Sequence, residues 1–428
     1  MKRISLVALT AVAGLFSSNV LAADLGGDCC ADLEERVAEL EATTARKGNR
    51  KVSLTIYGQI TTAVMFWDAR RGPGDTGRST PIVGPWSEDN VYLVDPQTSG
   101  SRFGFKGKAA INGEWSAGYQ FEFQWQAQDA TKVRKDNDDI GDLPEFRQAH
   151  WWLKSKNFGK VRVGLADTAN SGIAEIDVSI TSIADGMSSS QAGGAIIAGD
   201  IGGPAGGNFE YNRQNVVRYD TPTFGGFYAS TSYGEDDLWD VAVRYAGEHM
   251  GFKLAGGIAY GRRTDCGYAI AGGGYRLSCG NRTGLNGGQP EEVATETLNG
   301  GVSALHVGTG LFFTGSAGER QADDTVSCAN KDHNGGNCEN DWFWFTKAGV
   351  ERKYLALGKT AVFGMTGEQH NGIDQAWQMW GLGAVQKIDA AAMDLYISYR
   401  SYDIDTGYGI DKADGDFDTV VAGGRIKF

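Results

Sequence analysis

Residues 113–128 read GEWSAGYQFEFQWQAQ. Taken alternately, Trp115, Ala117, Tyr119, Phe121, Phe123, Trp125 and Ala127 form one face, and Glu114, Ser116, Gly118, Gln120, Glu122, Gln124, Gln126 and Gln128 form the other. A strict period of two is the signature of a β-strand. It runs here for 16 residues, where a globular strand usually has roughly 5–6. One face calls for hydrocarbon and the other for water, the division expected of a strand in a membrane-spanning barrel.

From Lys51 onward, sixteen segments alternate in this way, beginning at 51–67 and ending at 416–428. Their connections sort by parity. Short joins at 155–159, 222–225, 248–249, 354–358 and 389–390 take turns with long gaps at 68–100, 166–213, 262–294 and 321–341. An up-and-down barrel places alternate connections at the same end, so one rim carries turns and the other long loops. Gly, at 62 residues, has about twice its usual share of roughly 7 per cent, while Pro numbers only 8. A mean hydropathy of −0.32 and the lack of an 18-residue apolar run after the N-terminus exclude spanning helices. The expected fold is all-β: a transmembrane antiparallel up-and-down β-barrel of 16 strands over 51–428, with a short N-terminal helical, coiled-coil-like segment.

The register names the faces. In 101–111, Phe103, Phe105, Gly107, Ala109 and Ile111 point outward, and Arg102, Gly104, Lys106 and Lys108 point inward. The last strand sets Val420, Ala422, Gly424, Ile426 and Phe428 outside, with Val421, Gly423, Arg425 and Lys427 inside. Inward residues along the chain read mainly as Gln, Glu, Lys, Arg and Ser.

Ahead of the strands, a basic start, an apolar centre at 4–16 and the small-residue exit Val20-Leu21-Ala22 make 1–22 a secretory signal peptide. Losing Lys2 and Arg3 leaves 38 basic residues against 53 acidic ones, a formal charge of −15. An exported acidic chain has no electrostatic case for nucleic acid. Residues 23–50 read as a periplasmic helical leader with Leu33, Val37 and Leu40 on one stripe. So short a coiled coil needs an oligomer or a surface to hold it. In an oxidising compartment, Cys266 with Cys279 and Cys328 with Cys338 are natural local disulfides, whereas Cys29 and Cys30 leave intersubunit bridges and free thiols equally open.

Five histidines stand apart, and no HExxH or GxSxG motif occurs, so nothing points to an enzyme. No cofactor is called for. The acidic loop clusters at 136–139 and 235–237 are candidates for divalent cations such as calcium, although solvated loops account for them better.

At SRFGFKG (101–107), FRQAHWWLKSKNFGKVRVGLAD (146–167), NVVRYDTPTFGGFYASTSYG (215–234) and the terminal GGRIKF, the chain resembles the general diffusion porins of Gram-negative outer membranes, in the alphaproteobacterial variant. The resemblance implies a homotrimer of sixteen-stranded barrels in the outer membrane, in contact with lipid and lipopolysaccharide. It also implies delivery by the barrel-assembly machinery through the strand ending at Phe428, and a third loop folded inward. That loop is 166–213. Its carboxylates Asp167, Glu175, Asp177, Asp185 and Asp200 would then face a basic wall of Arg102, Arg147 and Arg213. The implied function is passive diffusion of small hydrophilic solutes and ions. A sugar- or anion-selective channel, and a structural barrel tethered to the cell wall by its leader, are the competing expectations.

Overall fold

The computed structural model describes residues 52–73, 84–184, 192–204, 207–235, 237–271, 274–279, 293–323, 340–371, 375–406 and 413–428, with the backbone alone at 142–143, 265–271, 274–279, 293 and 322–323. The signal peptide, the leader, Asp185, Cys328 and Cys338 lie outside the described residues. All the strands fall within the compact unit Asn49–Phe428. In chain order they are β1 (Thr55–Arg71), β2 (Trp86–Val94), β3 (Arg102–Ala110), β4 (Trp115–Gln126), β5 (Asp142–Ser155), β6 (Gly159–Asp167), β7 (Arg213–Asp220), β8 (Phe227–Gly234) and β9 (Trp239–His249). There follow β10 (Phe252–Ala271), β11 (Gly274–Cys279), β12 (Val293–His306), β13 (Leu311–Asp323), β14 (Asp341–Leu355), β15 (Gly358–His370), β16 (Ala376–Ile388), β17 (Met393–Asp405) and β18 (Asp414–Lys427).

Neighbouring strands pair antiparallel in sequence order. The sheet closes where β1 meets β18, from Gln59 opposite Lys427 to Arg71 opposite Gly415. Two of the eighteen strands are not separate staves. β2 and β3 share one, β2 pairing with the upper part of β1 and β3 with the lower part, and β11 pairs only with the far end of β10. The barrel therefore has 16 staves, the number expected. Closure leaves no sheet edge in lipid, which backbone chemistry demands there.

Two of the expected long loops are not continuous: 262–294 holds the end of β10 and all of β11, and 68–100 holds β2. Its outward residues Ser87, Asp89, Val91 and Leu93 are half polar, and its inward set includes Glu88 and Asn90. The apolar alternation that marks a lipid-facing strand is thus missing from its first half. A second departure concerns the inner wall. On β14–β16 the inward residues include Phe343, Phe345, Phe363, Met365, Trp377 and Met379, all buried, where Gln, Glu, Lys, Arg and Ser were expected. They are apolar because protein covers them, as described below.

The glycines and aromatics explain each other. A side chain at Gly104 would overlap Tyr57, one at Gly118 Trp152 and one at Gly383 Phe363. In each case an aromatic ring lies across a neighbouring strand at a glycine, which supplies the packing that a bare glycine in a strand lacks. At the seam the same device closes the barrel. Gly58 and Phe428 exchange backbone hydrogen bonds of 3.0 and 3.1 Å, and the Phe428 ring fills the space a Cβ on Gly58 would take.

Replacing Gly58 with Leu should therefore force the Phe428 ring away from the seam, at about 1–3 kcal/mol, the usual cost of overpacking. A lowered midpoint of thermal unfolding in detergent checks it, with Phe428→Ala in the Gly58→Leu background regaining part of the loss.

Candidate functional site

Between β6 and β7 the chain turns into the barrel. The described residues of 168–212 form a long inward loop whose Ile173, Ile183, Ile196, Ile197 and Ile201 are buried, and they meet the wall from both sides. Side chains added at Gly257 or Gly415, on opposite parts of the barrel, would strike Ile173 and Ile201 respectively. Ile173 packs with Ala169, Ala242 and Ala259, while Ile183, Ile196, Ile197 and Ile201 form one cluster with Trp67, Phe345, Phe363, Trp377 and Phe417. This stretch of the wall is apolar because the loop, rather than water, lies against it.

A loop inside a barrel has no ladder to satisfy its backbone, and unpaired buried amides are costly. Wall side chains take that role. At its start, Arg218 Nη1 donates to the carbonyls of Asp167 and Thr168 at 3.0 and 2.6 Å, and Arg244 Nη2 donates to those of Ala169 and Ser171 at 2.6 and 2.8 Å. Asp240, fully buried, accepts from the amides of Ala169 and Asn170 at 3.2 and 2.8 Å. At the far side, Glu351 accepts from the Ile180 amide at 2.9 Å and Arg400 donates to the Ala184 carbonyl at 2.8 Å. On the return, Arg71 donates to the Ile201 carbonyl at 2.9 Å. The loop fixes itself as well: Glu210 accepts from the amides of Gly172 and Ala174, and burial pushes its carboxyl above the usual range.

The remaining lumen lies along β3–β7, where charges gather. Arg147 Nε sits 2.8 Å from Glu122 Oε1, and Arg102 Nη1 sits 3.7 Å from the same oxygen. Arg213 Nη1 lies 3.9 Å from Asp167 Oδ1, and Gln148 holds the other Asp167 oxygen at 2.9 Å. The guanidinium groups of Arg102, Arg147 and Arg213 are close enough to repel one another. Glu175, on the loop, is exposed to the lumen and feels both Arg147 and Arg213. The surrounding protein desolvates its carboxyl and raises its pKa, and the two arginines oppose that rise.

The three arginines thus stand together, with Asp167 and Glu175 beside them. Two of the other loop carboxylates do not join them. Asp177 is buried across the lumen, its Oδ2 2.6 Å from Lys347 Nζ on β14. Asp200 accepts from the Lys135 amide at 2.9 Å and lies 3.9 Å from Arg134, both in the 127–141 loop. Glu122 was not picked out as part of the site. Its parity placed it inside, but only the folded register brings Arg147 onto it from the next strand. At the far end of β10, the ladder sets Cys266 directly opposite Cys279.

A family model described as Gram-negative porin matches residues 8–425. Comparison with curated proteins returns no match. Among solved structures, the anion-selective porin from Comamonas acidovorans is 17% identical at a TM-score of 0.56, covering 88% of this chain and 100% of its own. The trimer form of in-vitro folded OmpT of Vibrio cholerae is 14% identical, with a TM-score of 0.51 and coverage of 88% and 99%. The outer membrane channel DcaP of Acinetobacter baumannii is 12% identical, with a TM-score of 0.52 and coverage of 90% and 100%. At such identities the likeness concerns the fold.

Lys347 and Asp177, at 0% and 5% side-chain exposure, give the loop's anchoring a direct test. Lys347→Met should cost about 3–5 kcal/mol by leaving a buried carboxylate unpaired, whereas Lys347→Met with Asp177→Leu should recover most of that loss. A double-mutant cycle on thermal unfolding in detergent reads the difference.

Proposed function

From the premise that the chain belongs to the Gram-negative porin family, we propose that residues 166–213 constrict its lumen and that solutes pass between Glu175 on the loop and the Arg102, Arg147 and Arg213 wall. The protein is an outer-membrane β-barrel channel for passive diffusion. On our reading the solutes are small, hydrophilic and weakly selected, and the chain carries no catalytic centre. The observation that carries this is the charged cleft left open beside the loop, three arginines against Glu122, Asp167 and Glu175. Opposed charges across a narrow passage orient water and dipolar solutes, and their near balance keeps ion preference small.

Assembly as a trimer is supported by the trimer form of the similar OmpT and by the outer face of β3–β5. There Phe103, Phe105, Phe121, Phe123, Trp125 and Phe146 form one patch with ring centroids 4.7–6.0 Å apart. Such a continuous aromatic surface suits protein contact better than the two separated girdles of a lipid-facing wall. The facing positions of Cys266 and Cys279 support a disulfide across that hairpin in an oxidising compartment.

Conductance in a planar bilayer under a salt gradient tests the channel reading. Discrete steps with a small reversal potential are expected near neutral pH. Because enclosure raises the Glu175 pKa, acidification removes its negative charge ahead of an ordinary Glu, and the basic wall gains weight. The reversal potential should move toward the anion as pH falls from neutral, before the range in which an ordinary Glu is protonated is reached. Glu175→Gln should already show the shifted value at neutral pH and lose most of the pH dependence. An absence of steps, or a shift toward the cation, would refute the assignment.

A further inference from the structure

Below the constriction, toward the short-turn rim, the wall of β3–β6 carries features that the passage of small ions does not need. Tyr57 reaches across β3 at Gly104, where its hydroxyl donates to Glu122 at 2.8 Å and accepts from Gln120 at 3.0 Å. Trp152 likewise lies across Gly118. Each ring has an ammonium over it, Lys106 Nζ 4.9 Å from the Tyr57 centroid and Lys160 Nζ 4.9 Å from that of Trp152. The two pairs are neighbours by register. Lys106 faces Gln120, Lys108 faces Gly118, Gly118 faces Trp152, and Lys154 faces Lys160.

This patch is unbalanced in charge. Among the described residues no carboxylate lies within ion-pair distance of Lys106, Lys108, Lys154 or Lys160. The acids nearby are engaged elsewhere: Glu122 with Arg147 and Arg102, Asp220 with Arg162 and Arg218, and Glu114 as acceptor from Ser155. Lys106, Lys108 and Lys154 are exposed to the lumen, and Tyr57, Trp152 and Lys160 are half-buried in its wall. Unpaired bases draw an anion in, and aromatic surfaces fixed beside them offer a flat apolar contact. A solute carrying a carboxylate on a ring satisfies both, whereas acetate or a neutral sugar satisfies one.

Building on the channel reading above, we propose that Tyr57, Lys106, Lys108, Trp152 and Lys160 form a binding subsite for ring-bearing carboxylates, in which the lysines hold the carboxylate and the aromatic residues take the ring. Aromatic acids and sugar acids share this chemistry. Benzoate and galacturonate are therefore used as separate probes, with acetate and glucose as controls lacking one half of the recognition each.

The experiment is single-channel recording of the full-length protein in potassium chloride, with the probes titrated from the side of the short turns. One of the two ring-bearing acids should block the current at a concentration ~10-fold below acetate and glucose, and the more effective acid identifies the source. Lys106→Gln combined with Lys160→Gln should raise that blocking concentration ~10-fold. Trp152→Leu should erase the preference for the ring-bearing acid over acetate. Steps in plain potassium chloride report folding of each variant. If Trp152→Leu gives none, the lysine variant and the wild-type ranking still decide. Equal block by acetate, or a lysine variant with unchanged block, overturns the subsite. Wild-type protein without steps in plain salt overturns the channel reading itself.

Discussion

Hydrocarbon offers no partner to a backbone amide, so a sheet in lipid must have no edge. Pairing of β1 with β18 meets that requirement here, and much else follows from it. Closing 16 staves encloses more space than wall side chains can fill. A second structure must then occupy the interior without a sheet of its own to join. Its amides and carbonyls find partners in Arg218, Asp240, Arg244, Glu351 and Arg400, side chains that the wall turns inward. Charged residues that look from their sequence positions like lumen solvation therefore divide into two trades. Some hold the loop by its backbone, and others face the water it leaves.

Sequence periodicity carried the barrel because side-chain direction in a strand has a period of two and lipid enforces it on one face over many residues. Phe121 and Ile426 are placed outside on that basis, and they lie exposed on the barrel's outer face. β2 escaped because the same rule weakens where a strand rises toward the polar rim. Phe343, Phe363 and Trp377 depart from the expected polar inner wall for a different reason: parity gives the direction of a side chain but not what waits there, and the loop between β6 and β7 supplies an apolar covering that no local pattern records. The site was legible to the same depth. Arg102, Arg147 and Arg213 were named through resemblance, while Glu122 depended on which residue of β5 the register brings beside it. Asp177 and Asp200 could not be told from Glu175 by sequence, since each lies on the same loop and only the fold sends them to different walls.

Glycine and aromatic residues illustrate a constraint that composition hinted at without locating. A bare glycine weakens a strand, yet this chain has 62 of them. Where a ring from the adjacent strand lies flat over the gap, as Tyr57 does at Gly104 and Phe363 at Gly383, the pair restores the contact surface. For Tyr57, which faces the open side, the pairing also fixes the ring's orientation in the lumen. A side chain used for stability is thereby made a rigid surface for solutes.

Because the loop leans on β14–β18 and β1, the barrel has a dry back and a wet front. A substitution therefore has different physical consequences on the two sides. A change on the back wall, at Phe363 or Trp377, is felt as packing; one on the front, at Lys108 or Lys154, meets only water and whatever dissolves in it. Drift in permeability can thus accumulate on one side of the molecule while the other keeps the frame, so that a single architecture can be retuned to new surroundings without being rebuilt.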